Sequence, residues 1–217
     1  MRRPIMHADE ATPVKVVLVT MDSHLGAAAR EATEMLRRDI PGLEFAVHAA
    51  DEWACCEREL AHCHAAIASA DIVITTMLFL EDHAKLVLPQ LAARRPHCDA
   101  MLNLMSCPEV MKLTRIGKFD MGKEAKGPMA LLKKLRGNKG KGAASTGAGQ
   151  MRVLRELPKL LRFIPGTAQD VRTYFLGMQY WLSGSSDNIA NMVRMLVNRY
   201  SSGSRAKLAG KINPQIT

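Results

Sequence analysis

Short apolar runs alternate with amphipathic segments through the first half of the chain, and this alternation constrains the fold more than any other feature. The run VKVVLVT (Val14–Thr20) is almost entirely β-branched or apolar, as expected of a strand buried on both faces. Three more strands are predicted at Leu43–Ala49, Asp71–Met77 and Cys98–Met105. Strands that alternate with helices imply βαβ units. The predicted class is therefore α/β, with a Rossmann-like or flavodoxin-like parallel sheet flanked by helices.

The segments between these strands predict helices that carry the chain back to the start of the next strand. The first helix ends before Pro41, because a proline-glycine pair stops a helix. Further helices are predicted at Glu57–Ser69 and Glu81–Arg95, and a short one at Pro108–Gly117. The following residues, Lys118–Gly127, are predicted to be irregular.

The positive charge of the chain is concentrated in one stretch. Residues 121–166 contain eleven Lys and Arg residues and two Glu residues, whereas acidic and basic side chains balance in the rest of the chain. Within this stretch, Gly137–Gly149 contains five glycines and no large apolar residue, which predicts a flexible, solvated loop. We therefore divide the chain into an α/β domain (1–120), a basic glycine-rich connector (121–150) and a helical segment (151–217).

The sequence that follows the connector is predicted to be helical. Residues 150–164 form either one helix kinked at its proline or two shorter pieces. Thr167 followed by Asp170 resembles a capping box, which predicts the start of a helix. Ser185 or Ser186 is predicted to cap the last helix.

Composition and cysteine use favour a globular protein of the cytoplasm. Hydrophobic residues make up 47% and charged residues 24% of the chain, and no apolar run is long enough to span a membrane. The five cysteines are odd in number and irregular in spacing, which favours reduced thiols. Cys55–His64 concentrates thiols and imidazoles but contains no C-x-x-C pair, so no metal ligand is assigned.

The glycines of the connector do not form a phosphate-binding loop. Gly137 and Gly142 have the P-loop spacing, but Ala143 and Ala144 stand where Lys and Ser or Thr are required. The chain itself is therefore not expected to bind ATP through this motif.

Polar residues follow two of the predicted strands, where open α/β sheets bind ligands. Asp22 and His24 follow the first strand, and Glu81 and His83 follow the third. These four residues are candidates for contact with an anion or a partner. The alternative is structural: Asp22 or Ser23 caps the first helix, and acidic residues occupy the first turn of the third.

A second candidate site is the cluster of aromatic and basic residues in the helical segment. Rings stack on flat ligands and guanidinium groups pair with carboxylates, so the cluster suits a porphyrin or a protein partner. The alternative is that a helical stripe of aromatics belongs to the core. The candidate residues are Arg162, Phe163, Tyr174, Tyr180 and Trp181.

Several stretches, in family order over nearly the whole chain, resemble the N-terminal region of the large porphyrin-binding H subunit of magnesium chelatase. They are VHAADEW (Val47–Trp53), ADIVITTMLFLEDH (Ala70–His83), RPHCDAM (Arg95–Met101), GPMALLKKLRGNK (Gly127–Lys139), LPKLLRFIPG (Leu157–Gly166), QDVRTYFLGMQYWLSGSSDN (Gln169–Asn188) and NRY (Asn198–Tyr200).

This resemblance implies a role in chlorophyll or bacteriochlorophyll biosynthesis. The family inserts magnesium into protoporphyrin IX, while ATP is hydrolysed by partner subunits that form a motor. The expected partners are those ATPase subunits, the rest of the H subunit and the porphyrin. The resemblance assigns no catalytic or metal-binding residue to this chain, whose expected part is scaffolding, partner docking or porphyrin entry.

Two other hypotheses belong to different functional classes. The chain could be a stand-alone, non-catalytic α/β module that binds a small anion or a tetrapyrrole at the sheet edge. Binding of nucleic acid through the basic connector is the least favoured hypothesis, because the charge is confined to one glycine-rich stretch.

Overall fold

The computed structural model describes residues 12–21, 23–53, 56–123, 161 and 165–210. These residues form a six-stranded sheet with helices on both faces, which confirms the predicted α/β class. The strands are β1 (Val14–Thr20), β2 (Leu43–Ala49), β3 (Ile72–Thr76), β4 (Ala100–Leu104), β5 (Arg115–Ile116) and β6 (Phe119–Asp120). The helices are α1 (Gly26–Asp39), α2 (Glu57–Ser69), α3 (Glu81–Arg94), α4 (Pro108–Met111), α5 (Thr167–Ser183) and α6 (Ser186–Tyr200), with 3-10 turns at Ala50–Glu52 and Gly203–Leu208.

The strand order is β2-β1-β3-β4-β5-β6, and the first four strands are parallel. An order that begins 2-1-3-4 is the flavodoxin-like arrangement, whereas the Rossmann order begins 3-2-1-4. The structure thus selects the flavodoxin-like alternative. In this arrangement the chain leaves β1 and β3 towards opposite faces of the sheet, so the loops that follow these strands diverge and leave a crevice at the carboxyl edge of the sheet.

The sheet separates two hydrophobic cores. One face is covered by α1, α5 and α6, and we call this side the first core. The other face is covered by α2, α3 and α4, and we call this side the second core. Because side chains alternate along a strand, Val16 and Leu18 enter the first core and Val17 and Val19 enter the second. This two-sided burial explains the unbroken apolar run of β1.

A short antiparallel hairpin, β5-β6, extends the sheet beyond β4. Gly117 and Lys118 form its two-residue turn, and Gly117 has a φ of 56°, as glycine does at the first central position of a type II′ turn. The helix predicted over Pro108–Gly117 is confirmed only as α4 (Pro108–Met111), because β5 occupies Arg115–Ile116. The prediction of irregular chain over Lys118–Gly127 is wrong at β6, and residues 124–127 lie outside the described residues. Strands of two residues are too short to produce a recognisable alternation.

Helix α5 begins at Thr167, which confirms the predicted helix start, but the capping box predicted between Thr167 and Asp170 is wrong. Gly166, with a φ of 77°, precedes the helix, and no side chain caps it. The Asp170 carboxylate instead accepts hydrogen bonds from the backbone N–H of Lys118 (2.9 Å) and the hydroxyl of Tyr200 (2.9 Å). Asp170 thus links α5 to the hairpin and to the end of α6.

Helix α6 is the most deeply buried helix among the described elements. The cap predicted at Ser185 is confirmed, since its hydroxyl accepts a hydrogen bond from the N–H of Asn188 (3.3 Å). Nine consecutive residues, Ile189–Val197, are buried. Arg194 is among them, and its guanidinium donates to Asp39 at the end of α1 (2.7 Å), so the buried charge is neutralised.

Helices α5 and α6 belong to the same hydrophobic core as one face of the sheet. The predicted division of the chain at residues 120 and 150 remains a prediction, because most of residues 121–164, including the loop predicted at Gly137–Gly149, lie outside the described residues. None of the helices in the described part of the chain combines the length and apolar character needed to cross a bilayer.

Candidate functional site

The carboxyl edge of the parallel sheet carries loops from all four parallel strands, and polar contacts join these loops in two pairs. After β1, the backbone N–H and the hydroxyl of Ser23 both donate to the Asp51 carboxylate (3.2 Å each). Asp51 in turn donates its N–H to the carbonyl of Met21 (3.0 Å). The predicted capping of α1 by Ser23 is therefore wrong. The Ser23 hydroxyl donates to Asp51, and no side-chain hydrogen bond caps α1 among the described residues.

The loops after β3 and β4 are joined by Ser106. Its hydroxyl accepts from the N–H of Leu78 (3.2 Å) and donates to the carbonyl of Leu104 (3.0 Å). Met77 and Met105, the residues that follow the two strands, have φ values of 59° and 45°. A left-handed conformation is uncommon for a residue with a side chain and costs about 1–3 kcal/mol. The surrounding hydrogen bonds hold this strained edge in place.

Phe79 and Leu80 project from this fixed loop into solvent. Their exposed fractions are 54% and 53%, although the strand that ends at Thr76 is entirely buried. Two adjacent large apolar side chains at the ligand-binding edge of an α/β sheet form a candidate contact surface.

The four predicted sheet-edge residues do not form one cluster. Asp22 lies outside the described residues, and His24 is exposed. Glu81 is exposed and pairs with Lys85 one turn along α3 (2.9 Å), a contact that lowers the pKa of the Glu81 carboxyl. His83 is half-buried, with its ring edge-on to Trp53 at a centroid distance of 6.3 Å. Among the described residues, no group of three or more His, Cys, Asp or Glu side chains could hold a metal ion.

The predicted aromatic cluster lies largely in the first core. Tyr174 is buried and makes edge-on contacts with Phe119 and Phe175, at centroid distances of 5.7 and 5.5 Å. Tyr180 is also buried, and burial raises the pKa of its hydroxyl. Arg162 and Phe163 lie outside the described residues. The contact of this cluster with porphyrin or a partner stays a prediction.

Trp181 is the member of this cluster that reaches a cavity. The cavity has a volume of about 480 Å³ and lies between α1 and the β1-β2 half of the sheet. Thr20, Phe45 and Arg30 also line it, and none of these was a candidate from the sequence. The available signal was the run of small residues at the start of α1, Gly26–Ala29, which leaves space above the sheet.

Two of the described cysteines are poor candidates for nucleophilic chemistry. Cys56, Cys63, Cys98 and Cys107 are free thiols. Burial raises the pKa of the Cys63 thiol to about 12, and the pKa of Cys98 is raised for the same reason. Both therefore stay protonated near neutral pH, and the thiol form is a poor nucleophile.

Comparison with known proteins finds a family match over most of the chain. The sequence profile of the family described as "Domain of unknown function (DUF3479)" matches residues 15–175. The chain is 48% identical over 201 residues to the magnesium-chelatase H subunit of Cereibacter sphaeroides, covering 90% of the chain and 17% of that protein. It is 47% identical over 186 residues to the protein of the same name from Rhodobacter capsulatus, covering 86% of the chain and 16% of the relative.

A plant relative is more distant. The chain is 35% identical over 194 residues to the chloroplastic ChlH subunit of magnesium chelatase from Oryza sativa subsp. indica, covering 86% of the chain and 14% of that protein. The chain thus spans between 14% and 17% of the length of these three curated relatives.

Proposed function

Because the chain belongs to the DUF3479 family and corresponds to the N-terminal region of the magnesium-chelatase H subunit, we propose that it acts within an H subunit that inserts magnesium into protoporphyrin IX. In this proposal the reaction takes place in the cytoplasm and serves chlorophyll or bacteriochlorophyll biosynthesis. Partner ATPase subunits hydrolyse ATP and drive the insertion, and both porphyrin and magnesium are substrates of the complete assembly.

Within that larger protein, this region is proposed to be a non-catalytic docking domain for the ATPase motor subunits. The observation that carries the proposal is the exposed pair Phe79 and Leu80 on the loop after β3. An apolar pair of this kind gains free energy when a partner removes it from water, and a few such residues usually dominate the affinity of an interface.

The rigidity of the loop supports the same proposal. Ser106 joins the two neighbouring loops, and Cys107 donates its N–H to the carbonyl of Leu78 (2.9 Å), directly before Phe79. A surface that is ordered before binding loses little conformational entropy on association. In this proposal the H subunit closes around the macrocycle during metal insertion, and a fixed docking point transmits the motor's movement to that closure.

A double substitution tests the docking surface. Phe79→Ser with Leu80→Ser removes the exposed apolar pair and is expected to weaken binding of the ATPase subunits at least tenfold, measured by surface plasmon resonance. The folded state should be unaffected, because neither side chain is buried.

Leu182→Ser provides the matched control, because Leu182 is 50% exposed but lies at the end of α5. This variant should bind the ATPase subunits like the unaltered chain. Equal affinities for the double variant and the control would contradict the docking proposal. In the complete H subunit, the double variant should also lower the rate of magnesium insertion.

A further inference from the structure

The floor of the cavity between α1 and the sheet is formed by rows of paired residues from β1 and β2. Thr20 and Ala49 are opposite each other at the carboxyl ends of β1 and β2, and Leu18 and Val47 form the row below. Phe45 forms the lowest part of the lining from β2. The floor therefore runs from a polar residue at the sheet edge to an aromatic ring deeper along the strands.

Small residues of α1 and one indole ring complete the walls. Gly26 and Ala29 lie in the first turn of α1, so the helix leaves room above the strands. Trp181 of α5 and Ile189 of α6 close the side towards the first core. A volume of about 480 Å³ lies within the range of roughly 300–1,000 Å³ that is usual for small-molecule sites.

Two buried residues in this lining carry polar groups without a hydrogen-bond partner in the described part of the chain. Thr20 is 4% exposed and Trp181 is 3% exposed. Among the described residues, none accepts a hydrogen bond from the Thr20 hydroxyl or from the indole N–H of Trp181. Both residues line the cavity, so their donor groups are available to a ligand oxygen that enters it.

Positive charge lies at the same end of the cavity. Among the described residues, no side chain caps helix α1 and no acidic residue stands in its first turn, where the positive end of the helix dipole lies. The Asp51 carboxylate, which accepts from Ser23 (3.2 Å), is the acidic group held just before this turn. The Arg30 guanidinium lies 3.5 Å from the point that a Cβ on Gly26 would occupy, directly over this first turn.

Charges of both signs line the remainder of the rim, where Arg37 accompanies Glu34 and Glu52. Summed over the whole rim, two basic and two acidic side chains cancel. An anionic group is therefore favoured only at the first turn of α1, where Arg30 and the helix dipole act together.

We propose that this cavity binds a small amphipathic carboxylate. The carboxylate lies beside Thr20, Trp181 and Arg30, and the apolar body extends over Leu18 and Val47 towards Phe45. The aliphatic chain of a fatty acid and the propionate edge of a tetrapyrrole share this chemistry. The proposal does not depend on the docking role of the Phe79–Leu80 loop, which lies after a different strand.

Intrinsic fluorescence provides the test. The chain has two tryptophans, so Trp53→Phe leaves Trp181 as the reporter. Decanoate, titrated below its micelle concentration, should change this fluorescence saturably. Decanamide, which has the same apolar chain and no charge, should bind at least tenfold more weakly.

Two substitutions and one control substitution locate the carboxylate. Arg30→Gln should weaken decanoate binding at least tenfold, whereas Arg38→Gln, an exposed arginine of α1 outside the cavity lining, should not change it. Thr20→Val preserves the β-branched shape and should weaken binding about fivefold through loss of one hydrogen bond.

Three results would overturn the proposal: no saturable response to decanoate, equal affinity for decanoate and decanamide, or equal affinities in the Arg30 and Arg38 variants. Protoporphyrin IX then distinguishes the two sources of the carboxylate. If protoporphyrin IX displaces decanoate, the ligand is a tetrapyrrole. If protoporphyrin IX leaves decanoate binding unchanged, the ligand is an aliphatic acid.

Discussion

At the scale of single residues, His48 on the edge strand β2 has an unusual environment. It is half-buried, and its Nε2 atom has no hydrogen-bond partner in the described part of the chain. Burial is the largest cause that lowers the pKa of His48, His62 lowers it further, and the Glu59 carboxylate opposes the shift. The folded state therefore favours the neutral imidazole.

This shift predicts a loss of stability on acidification. The folded pKa of His48 is below the unfolded value of about 6.5, so the unfolded state binds more protons between these two values. The free energy of unfolding should be highest above pH 6.5 and should fall as the pH drops through this window. Urea denaturation at pH 7.5, 6.5 and 5.5 measures the effect.

His48→Gln should reduce this pH dependence, because glutamine cannot take up the proton. His97→Gln is the control, since His97 is exposed and should leave the slope unchanged. If the His48 variant and the unaltered chain lost equal stability between pH 7.5 and 5.5, burial of His48 would not be the cause.

For single residues, the sequence predicted burial but not which buried residues line a cavity. Periodicity correctly indicated that Tyr174 and Trp181 could be core residues, but it could not show that Trp181 also lines a cavity. Likewise, Thr20 was assigned only to a strand. Its role as an unpaired donor depends on α1 standing away from the sheet, which is a tertiary property.

At the scale of secondary-structure elements, the 3-10 turn Gly203–Leu208 is held against the amino edge of the sheet. Arg205 pairs with Asp71 before β3 (3.2 Å) and with Asp99 before β4 (3.0 Å). Asp99 also accepts hydrogen bonds from the N–H and hydroxyl of Ser202. These contacts join the C-terminal part of the described chain to two central strands.

Arg205→Ala should therefore destabilise the fold by about 2 kcal/mol, because two largely buried carboxylates lose a charged donor. Hydrogen exchange should increase selectively in Gly203–Leu208. Lys207→Ala is the control, since Lys207 is exposed and outside this ion-pair network. Unchanged stability and exchange in the Arg205 variant would show that the turn is held by other contacts.

Element boundaries were predicted well where a segment of consistent hydrophobic pattern was long and were missed where that segment was short. The predicted bounds of β1, β2 and α2 agree with the structure, because seven or more residues of consistent pattern define each of them. Hairpin β5-β6 was missed, although Ile116-Gly117-Lys118-Phe119 contains the glycine that a type II′ turn requires. The polar composition after Ser201 also concealed the turn at Gly203–Leu208.

At the scale of the whole molecule, the sheet couples two cores that each contain one tryptophan. Trp53 lies in the second core and Trp181 in the first. Because the same strands contribute side chains to both cores, we expect unfolding to be a single cooperative transition.

The variants Trp53→Phe and Trp181→Phe test this expectation, since each leaves one fluorescent reporter. Leu196→Ala in α6 removes a fully buried side chain and should lower stability by about 3 kcal/mol. Both reporters should register the same change in denaturation midpoint. A shift seen only through Trp181 would support the predicted separation of residues 1–120 from the helical segment. Leu182→Ala, at an exposed position, serves as the control.

Local pattern and the order of the motifs were enough to establish the α/β class, the positions of the four parallel strands and the family. The three-dimensional arrangement was needed to distinguish the flavodoxin-like from the Rossmann-like strand order, to show that Phe79 and Leu80 are exposed, and to reveal the cavity beneath α1. Strand order and cavity shape arise from contacts between residues far apart in the chain. Local periodicity reports which face of an element is apolar, but it does not specify which other element covers that face.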